Sequence, residues 1–81
     1  MNGRKLQVLL VDDHAVVRGG LRLLLAQAED MEVAGEAENA EQAIHIIRDS
    51  EFDVALVDIG LPGKGGLELL KQIRTERPRL A

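Results

Sequence analysis

The sequence has no cysteine, tryptophan or tyrosine, and Phe52 is its one aromatic residue. Without cysteine, disulfide bonds, thiolate zinc sites and cysteine nucleophiles are excluded. A single aromatic residue argues against a surface that stacks nucleic-acid bases on aromatic side chains. No apolar run approaches the roughly 20 residues that span a bilayer, and no secretory apolar segment follows Met1. We therefore expect no association with a membrane.

Composition and charge narrow the possibilities further. The 81 residues, 46% hydrophobic and 30% charged, suit one small globular domain or part of one, but not two separate cores. The formal net charge is −4, with acidic residues concentrated in 29–58 and basic residues more frequent from 59 onward. Because those basic residues alternate with acidic ones, they indicate a solvated helix face and not a nucleic-acid-binding surface.

The first third of the chain predicts a buried strand and an amphipathic helix. Leu6–Val11 is an almost continuous apolar run, typical of a strand covered on both faces. Asp13 is placed to cap the helix that follows. Gly19 and Gly20 lie inside this helix at a cost of about 1 kcal/mol each, so either close packing requires them or the helix is locally weak. The predicted inward face has the helical spacing of three and four and consists of Val17, Leu21, Leu24, Leu25 and Ala28.

The middle of the chain repeats the pattern. Met31–Ala37 predicts a second strand, and Asn39 with Gln42 three positions later approaches a capping box at the start of a second helix. The expected inward face of this helix consists of Ala40, Ala43, Ile44 and Ile47.

A third strand is predicted over Asp53–Asp58, then a glycine-rich loop over Ile59–Gly66 and a third helix that ends before Pro78. The expected inward face of this helix consists of Leu67, Leu70 and Ile73, with Leu69 as a further candidate. The order βαβαβα is typical of an α/β fold, in which right-handed crossovers join the strands of a parallel sheet and helices cover both faces.

Acidic residues stand at the carboxyl ends of two predicted strands. Asp12 and Asp13 follow the first strand, and Asp58 ends the third. Sites in open parallel sheets form beyond these ends, so three carboxylates converge if the two strands are neighbours. A cation makes such crowding tolerable, and hard oxygen ligands suit Mg²⁺. A carboxylate beside the ion can attack phosphorus and form an acyl phosphate.

Simpler interpretations exist for each residue. Taken singly, Asp13 could cap a helix and Asp58 could begin a turn, but capping does not explain why the acids gather at strand ends. His14 suits Mg²⁺ poorly because that ion prefers oxygen, so we expect His14 in helix-start packing or solvent. An aspartyl phosphatase of the haloacid dehalogenase type would need an acid where the chain has Gly60.

Three segments together resemble the CheY-like receiver domain of a two-component response regulator. They are VLLVDDHAVVRGGLRLLL, VAGEAENAEQAI and FDVALVDIGLPGKGGLELLKQIR. The resemblance covers Leu6–Pro78 and includes the acidic pair, the D-x-x-x-P pattern from Asp58 to Pro62, and the GLEL segment that begins at Gly66. The first two segments are similar to the NarL/FixJ subfamily, whose receivers precede a LuxR-type helix-turn-helix domain.

The resemblance implies a function and residue roles. Asp58 matches the phosphoacceptor, which would receive phosphate from a sensor histidine kinase. Asp13 and Asp58 match Mg²⁺ ligands, the backbone carbonyl of Gly60 matches another, and Asp12 matches an acid that acts through water. Such a domain is a cytoplasmic signalling module and not an enzyme, and it contacts DNA only through an effector domain that regulates transcription.

The resemblance also sets expectations for the fold. Pro62 and Gly66 match positions that shape the loop and the helix start. The receiver fold is flavodoxin-like, with five strands in the order 2-1-3-4-5, and Ala81 falls where the fourth strand would begin. We therefore expect residues 1–81 to be the N-terminal part of a receiver domain that lacks the last two βα units.

The missing units leave a second interpretation open. The hydroxyl residue of the fourth strand and the lysine of the fifth have no counterparts, since Lys64 lies in a different loop. The chain could then be a phosphorylation-incompetent truncated receiver that acts as an interaction or self-assembly module. With Val54–Val57 as an unpaired edge, we expect a homodimer or a domain-swapped oligomer.

Overall fold

The structure, a computed structural model, describes residues 5–58, 60–61 and 65–81. Strands and helices alternate along the chain, as the sequence predicts. They are β1 (Leu6–Val11), α1 (Ala15–Ala26), β2 (Met31–Ala37), α2 (Ala40–Asp49), β3 (Val54–Val57) and α3 (Gly66–Glu76). Among the strands, only the third differs from its predicted bounds, being one residue shorter at each end. Within the described ranges, no helix has the length and apolar character needed to cross a membrane.

β1 is the central strand of a three-stranded parallel sheet with the order β2-β1-β3. Leu9 and Leu10 of β1 are fully buried because β1 has a strand on each side and helices on both faces. This position explains why β1 is apolar at every residue except Gln7. The predicted α/β fold of the flavodoxin-like type is confirmed, and the carboxyl ends of β1 and β3 lie side by side.

Helices α2 and α3 cover one face of the sheet. The predicted inward face of α2 is buried there, within an apolar cluster of Leu9, Val11, Ala37, Ala40, Ala43, Ile44, Ile47, Leu61, Leu69, Ile73 and Leu80. The start of α2 also follows the prediction, since Asn39 Oδ1 accepts a hydrogen bond from the backbone N–H of Gln42. The return bond of the capping box is displaced by one residue, because the Gln42 side chain accepts from the N–H of Glu38.

The predicted inward face of α3 is confirmed at Ile73 and at the further candidate Leu69, but it is wrong at Leu67 and Leu70. Leu67 and Leu70 are 64% and 37% exposed, whereas Leu69 and Ile73 are buried. The buried stripe of α3 therefore begins at Gly66. Each residue advances about 100° around a helix, so the stripe that begins at Leu67 faces away from this core. Apolar residues in both stripes made the choice of face ambiguous in the sequence.

Helix α1 covers the opposite face incompletely. The crossovers from β1 to β2 and from β2 to β3 run in opposite directions, so right-handed connections place α1 and α2 on opposite faces. Leu21 and Leu25 are half-buried as predicted, but Val17 is exposed and Leu24 is 65% exposed. The expected fully inward face of α1 is therefore wrong at its margin, because α1 lies over β1 and β2 and leaves Leu56 of β3 exposed.

The residues after α3 return to the sheet. Leu80 is buried in the core, and Ala81 makes two backbone hydrogen bonds along the outer edge of β3. Its N–H donates to the carbonyl of Asp53 (3.1 Å), and its carbonyl accepts from the N–H of Ala55 (2.9 Å). The expectation of a wholly unpaired β3 edge is therefore wrong over the first half of the strand, whereas Val57 lies beyond the paired part.

Candidate functional site

The carboxyl ends of β1 and β3 place the acidic residues together. The N–H of Asp12 donates to the carbonyl of Ala37 on β2, and the N–H of Asp58 donates to the carbonyl of Val11 on β1. These bonds extend the sheet by one residue past each strand. The backbone at Asp12 and Asp58 is therefore as fixed as the sheet itself.

Asp12, Asp13, His14 and Asp58 form a compact cluster, which we call the acidic site. Each contributes one oxygen or nitrogen atom, and these four atoms all lie within 4.8 Å of one another. Asp12 is 8% exposed and Asp58 is half-buried, whereas Asp13 and His14 are open to solvent. Three carboxylates at such distances repel one another strongly enough that a neighbouring cation stabilises the arrangement.

The His14 imidazole lies between two of these carboxylates, a contact that the sequence pattern does not predict. Its Nδ1 is 3.1 Å from Asp12 Oδ1 and 3.1 Å from Asp13 Oδ1. The hydrogen bond with Asp12 and the negative charges of Asp13 and Asp58 raise the pKa of His14 above its usual value. A protonated imidazole thus offsets part of the negative charge of the acidic site.

The start of α1 corrects the predicted capping role of Asp13. His14 is the N-cap residue, and its side chain makes no capping bond. Asp12 turns the chain instead, because its Oδ1 accepts from the N–H of His14 at 2.8 Å. Asp13 therefore does not cap the helix, and its carboxylate belongs to the acidic site.

The loop after β3 holds Asp58 from the other side. The N–H of Gly60 donates to Asp58 Oδ1 at 2.9 Å, which fixes the carboxylate close to the strand end. Gly66 begins α3 and is buried, and Gly65 before it has φ 83°, a left-handed conformation that favours glycine. Pro62 and Lys64 lie outside the described residues.

The donor set of the acidic site fits Mg²⁺. Asp12, Asp13 and Asp58 supply hard carboxylate oxygens, and Mg²⁺ is commonly bound by one or two carboxylates while it keeps water in its remaining positions. The exposure of Asp13 leaves the site open to such water. Among the described residues, the basic side chain that pairs with these carboxylate oxygens is His14.

Comparisons with known proteins all indicate the same family. The sequence model of the family described as response regulator receiver domain matches residues 8–81. The nitrate/nitrite response regulator protein NarL of Escherichia coli K12 is 42% identical over 67 residues, 83% of this chain and 31% of NarL. The transcriptional regulatory protein YdfI of Bacillus subtilis is 44% identical over 68 residues, 84% of this chain and 32% of YdfI. The chain thus spans about a third of the curated relatives that it matches.

Solved structures agree. The isolated REC domain of RcsB from Salmonella enterica serovar Typhimurium, solved with the phosphomimetic BeF₃⁻, has a TM-score of 0.89 and 31% identity. The match covers 96% of this chain and 59% of that chain. A LuxR-family two-component response regulator from Aurantimonas sp. SI85-9A1 has a TM-score of 0.86 and 35% identity, covering 91% of this chain and 53% of that one.

Proposed function

We propose that Asp58 accepts a phosphoryl group. The proposal starts from the family, since this chain belongs to the response regulator receiver domain family. The observation that carries the proposal is the convergence of three carboxylates at the ends of two adjacent parallel strands. A structural capping role would not require them to meet. In this proposal, residues 1–81 are the N-terminal part of a receiver domain.

The proposed chemistry is a transfer from nitrogen to oxygen. A carboxylate oxygen of Asp58 attacks the phosphorus of a phosphohistidine on a sensor kinase, the P–O bond forms as the P–N bond breaks, and the released imidazole takes up a proton from water. The hydrogen bond from the N–H of Gly60 keeps the carboxylate in place for this attack.

Asp13, Asp58 and the backbone carbonyl of Gly60 would hold Mg²⁺ in this proposal, with Asp12 acting through water. When bound, the ion would offset negative charge on the transferring phosphoryl group. The role of Asp12 is consistent with its burial and with the engagement of its Oδ1 by the backbone of His14. Asp13, which is more exposed, has the freedom to bind the ion directly.

The relatives suggest what the phosphorylated domain controls. RcsB from Salmonella has been solved bound to promoter DNA in the presence of BeF₃⁻, so in that protein a phosphomimetic state and DNA binding coexist. By analogy, we propose that this chain acts in the cytoplasm and regulates transcription through an attached DNA-binding effector domain. Phosphorylation would shift the balance between two states of the whole protein.

Intact-mass measurement after incubation with Mg²⁺ and acetyl phosphate or phosphoramidate tests the proposal. We expect one phosphoryl adduct that is acid-stable and base-labile. Asp58→Asn should abolish it, whereas Asp49→Asn, a matched change at an exposed position on α2, should leave it intact. The absence of an adduct at any phosphodonor concentration contradicts the proposal.

A second function is favoured by the surface around β3. Only the first half of its outer edge is paired with Ala81, and the exposed Leu56 lines a shallow groove together with the exposed Val17 of α1. Open strand edges and apolar patches promote pairing with another chain. The alternative is therefore a self-assembly module, a homodimer or domain-swapped oligomer, that does not carry phosphate. A chain that is monomeric by light scattering and also unfolds cooperatively on heating contradicts the self-assembly alternative.

A further inference from the structure

Arg18 connects the acidic site to the middle of the fold. Its side chain, only 14% exposed, extends from the first turn of α1 to the end of β2. Nη1 donates to the backbone carbonyl of Asp12 at 2.6 Å, and Nε donates to Glu36 Oε1 at 3.1 Å. One guanidinium group therefore bridges the turn that carries the acidic residues and a carboxylate on the sheet.

The carboxylate that anchors Arg18 is itself held firmly. Glu36 is paired in register with Leu10 of the central strand, and its second oxygen, Oε2, accepts from Arg22 Nη1 at 2.6 Å. The hydrogen bond from Arg22, followed by the charges and hydrogen bonds of both arginines, lowers the pKa of Glu36 below its usual value. Glu36 is thus a stable anion on a rigid strand.

From this bridge we infer that Arg18 is a positioning residue for the metal site. The inference rests on the proposed function, since it assumes that the acidic site binds Mg²⁺. The carbonyl of Asp12 and the N–H of Asp13 belong to one planar peptide unit. Holding that carbonyl therefore restrains the backbone from which Asp12 and Asp13 present their carboxylates.

The charge of Arg18 and its positioning role have opposite effects on metal affinity. A positive charge close to the acidic site repels Mg²⁺, so its removal alone would tighten binding. Loss of the bridge lets the Asp12–Asp13 peptide rotate and weakens binding, as removal of residues that orient metal ligands commonly does. Whether Mg²⁺ affinity falls or rises when Arg18 is removed therefore separates a positioning role from a purely electrostatic one.

Titration calorimetry with Mg²⁺ alone tests the inference on three variants. Arg18→Met should raise the dissociation constant about tenfold, the lower end of the loss typical of residues that orient ligands. Arg22→Met is the matched control, because it removes the same charge and also contacts Glu36 but does not reach the carbonyl of Asp12. Its affinity should stay unchanged or tighten slightly. Arg18→Lys, which keeps the charge and has one donor nitrogen in place of the two that Arg18 uses, should restore part of the affinity.

Unchanged or tighter Mg²⁺ binding in Arg18→Met overturns the inference. If that variant does not fold, Glu36→Gln replaces it, because it weakens the anchor and keeps Arg18. Because the loss of a negative charge by itself also weakens Mg²⁺ binding, the control is Glu38→Gln, the same change at an exposed position two residues along. Glu36→Gln should bind Mg²⁺ more weakly than Glu38→Gln, and equal or tighter binding is again contrary to the inference.

A metal-free measurement keeps the inference separate from the proposed function. If the wild-type chain binds no Mg²⁺, the proposed function fails. The bridge is then judged by NMR, from the carbonyl carbon shift of Asp12 and the amide exchange of Asp13 and His14. Arg18→Met should change the shift and speed the exchange, whereas Arg22→Met should not. Identical behaviour of the two variants refutes the positioning role.

Discussion

The ring of Phe52 lies so close to the backbone of Gly35 that a Cβ atom at position 35 would stand 2.9 Å from Phe52 Cζ. It would also lie 3.4 Å from Cδ1 of Leu9. Gly35 follows the irregularity in the pairing of β1 with β2, where the register passes over Ala34. Strand β2 therefore needs a residue without a side chain where the single aromatic ring packs against the sheet.

We expect Gly35→Ala to lower the free energy of unfolding by about 1–3 kcal/mol, the usual cost of overfilling a packed interior. In a Phe52→Leu background the shorter side chain leaves room, and the same substitution should cost less. Urea unfolding followed by circular dichroism, with both single variants and the double variant, gives the coupling energy. Equal costs in the two backgrounds would show that Phe52 does not restrict position 35.

Gly20 of α1 presents the opposite case. A Cβ atom there would meet nothing within 4 Å, so of the two explanations for this glycine, close packing does not apply and the helix is locally weak. Gly20→Ala should raise the free energy of unfolding by about 1 kcal/mol, because alanine loses less backbone entropy in a helix. Thermal unfolding checks this, and a lower melting temperature would contradict it.

The strands and helix α2 could be predicted from the sequence because the pattern of apolar residues in each is compatible with only one buried surface. β1 is apolar except at Gln7, which predicts a strand covered on both faces, and α2 has one apolar face, from Ala40 to Ile47, opposite a polar one. Helix α3 offered two apolar stripes, and only its neighbours decide that Ile73 and Leu69 face inward. Which face of such a helix is buried depends on the elements that pack against it, and the spacing of apolar residues alone does not reveal those elements.

The candidate site was predictable to the same degree. The positions of Asp13 and Asp58 at strand ends predict that they meet if β1 and β3 are neighbours, and the sheet order makes them so. The contacts of His14 and Arg18 could not be predicted, since they depend on side-chain directions at the turn after β1 and on Glu36, which is distant in sequence. The pairing of Ala81 with β3 was missed because two residues are too few to show a strand pattern.

Glu76 gives a prediction about pH. Two hydrogen bonds from Arg48 on α2, with a further one from Gln72, lower the pKa of Glu76 from 4.5 to about 2. Because the folded-state pKa lies below the unfolded one, the stabilising contribution is complete above pH 4.5 and is lost as the pH falls toward 2. Glu76→Gln should therefore lower the melting temperature at pH 6 and have a progressively smaller effect in acid.

The control for Glu76 is Glu29→Gln, at an exposed position between α1 and β2. The difference in melting temperature between this variant and the wild type should remain small throughout the same pH series. A Glu76→Gln effect that stays constant from pH 6 to pH 2 would show that the carboxylate contributes through packing and not through its charge.

Mg²⁺ should stabilise the folded chain through the acidic site. An ion that binds only the folded state stabilises it by mass action, by about 2.7 kcal/mol at a concentration 100 times the dissociation constant. Asp58→Asn keeps an oxygen that can accept from the N–H of Gly60 but removes one of three crowded charges. The metal-free variant should therefore melt no lower than the wild type, and Mg²⁺ should stabilise it far less. Asp49→Asn should respond to Mg²⁺ as the wild type does. If Mg²⁺ raises the melting temperature of Asp58→Asn and wild type equally, the ion binds elsewhere and the acidic site is not its ligand set.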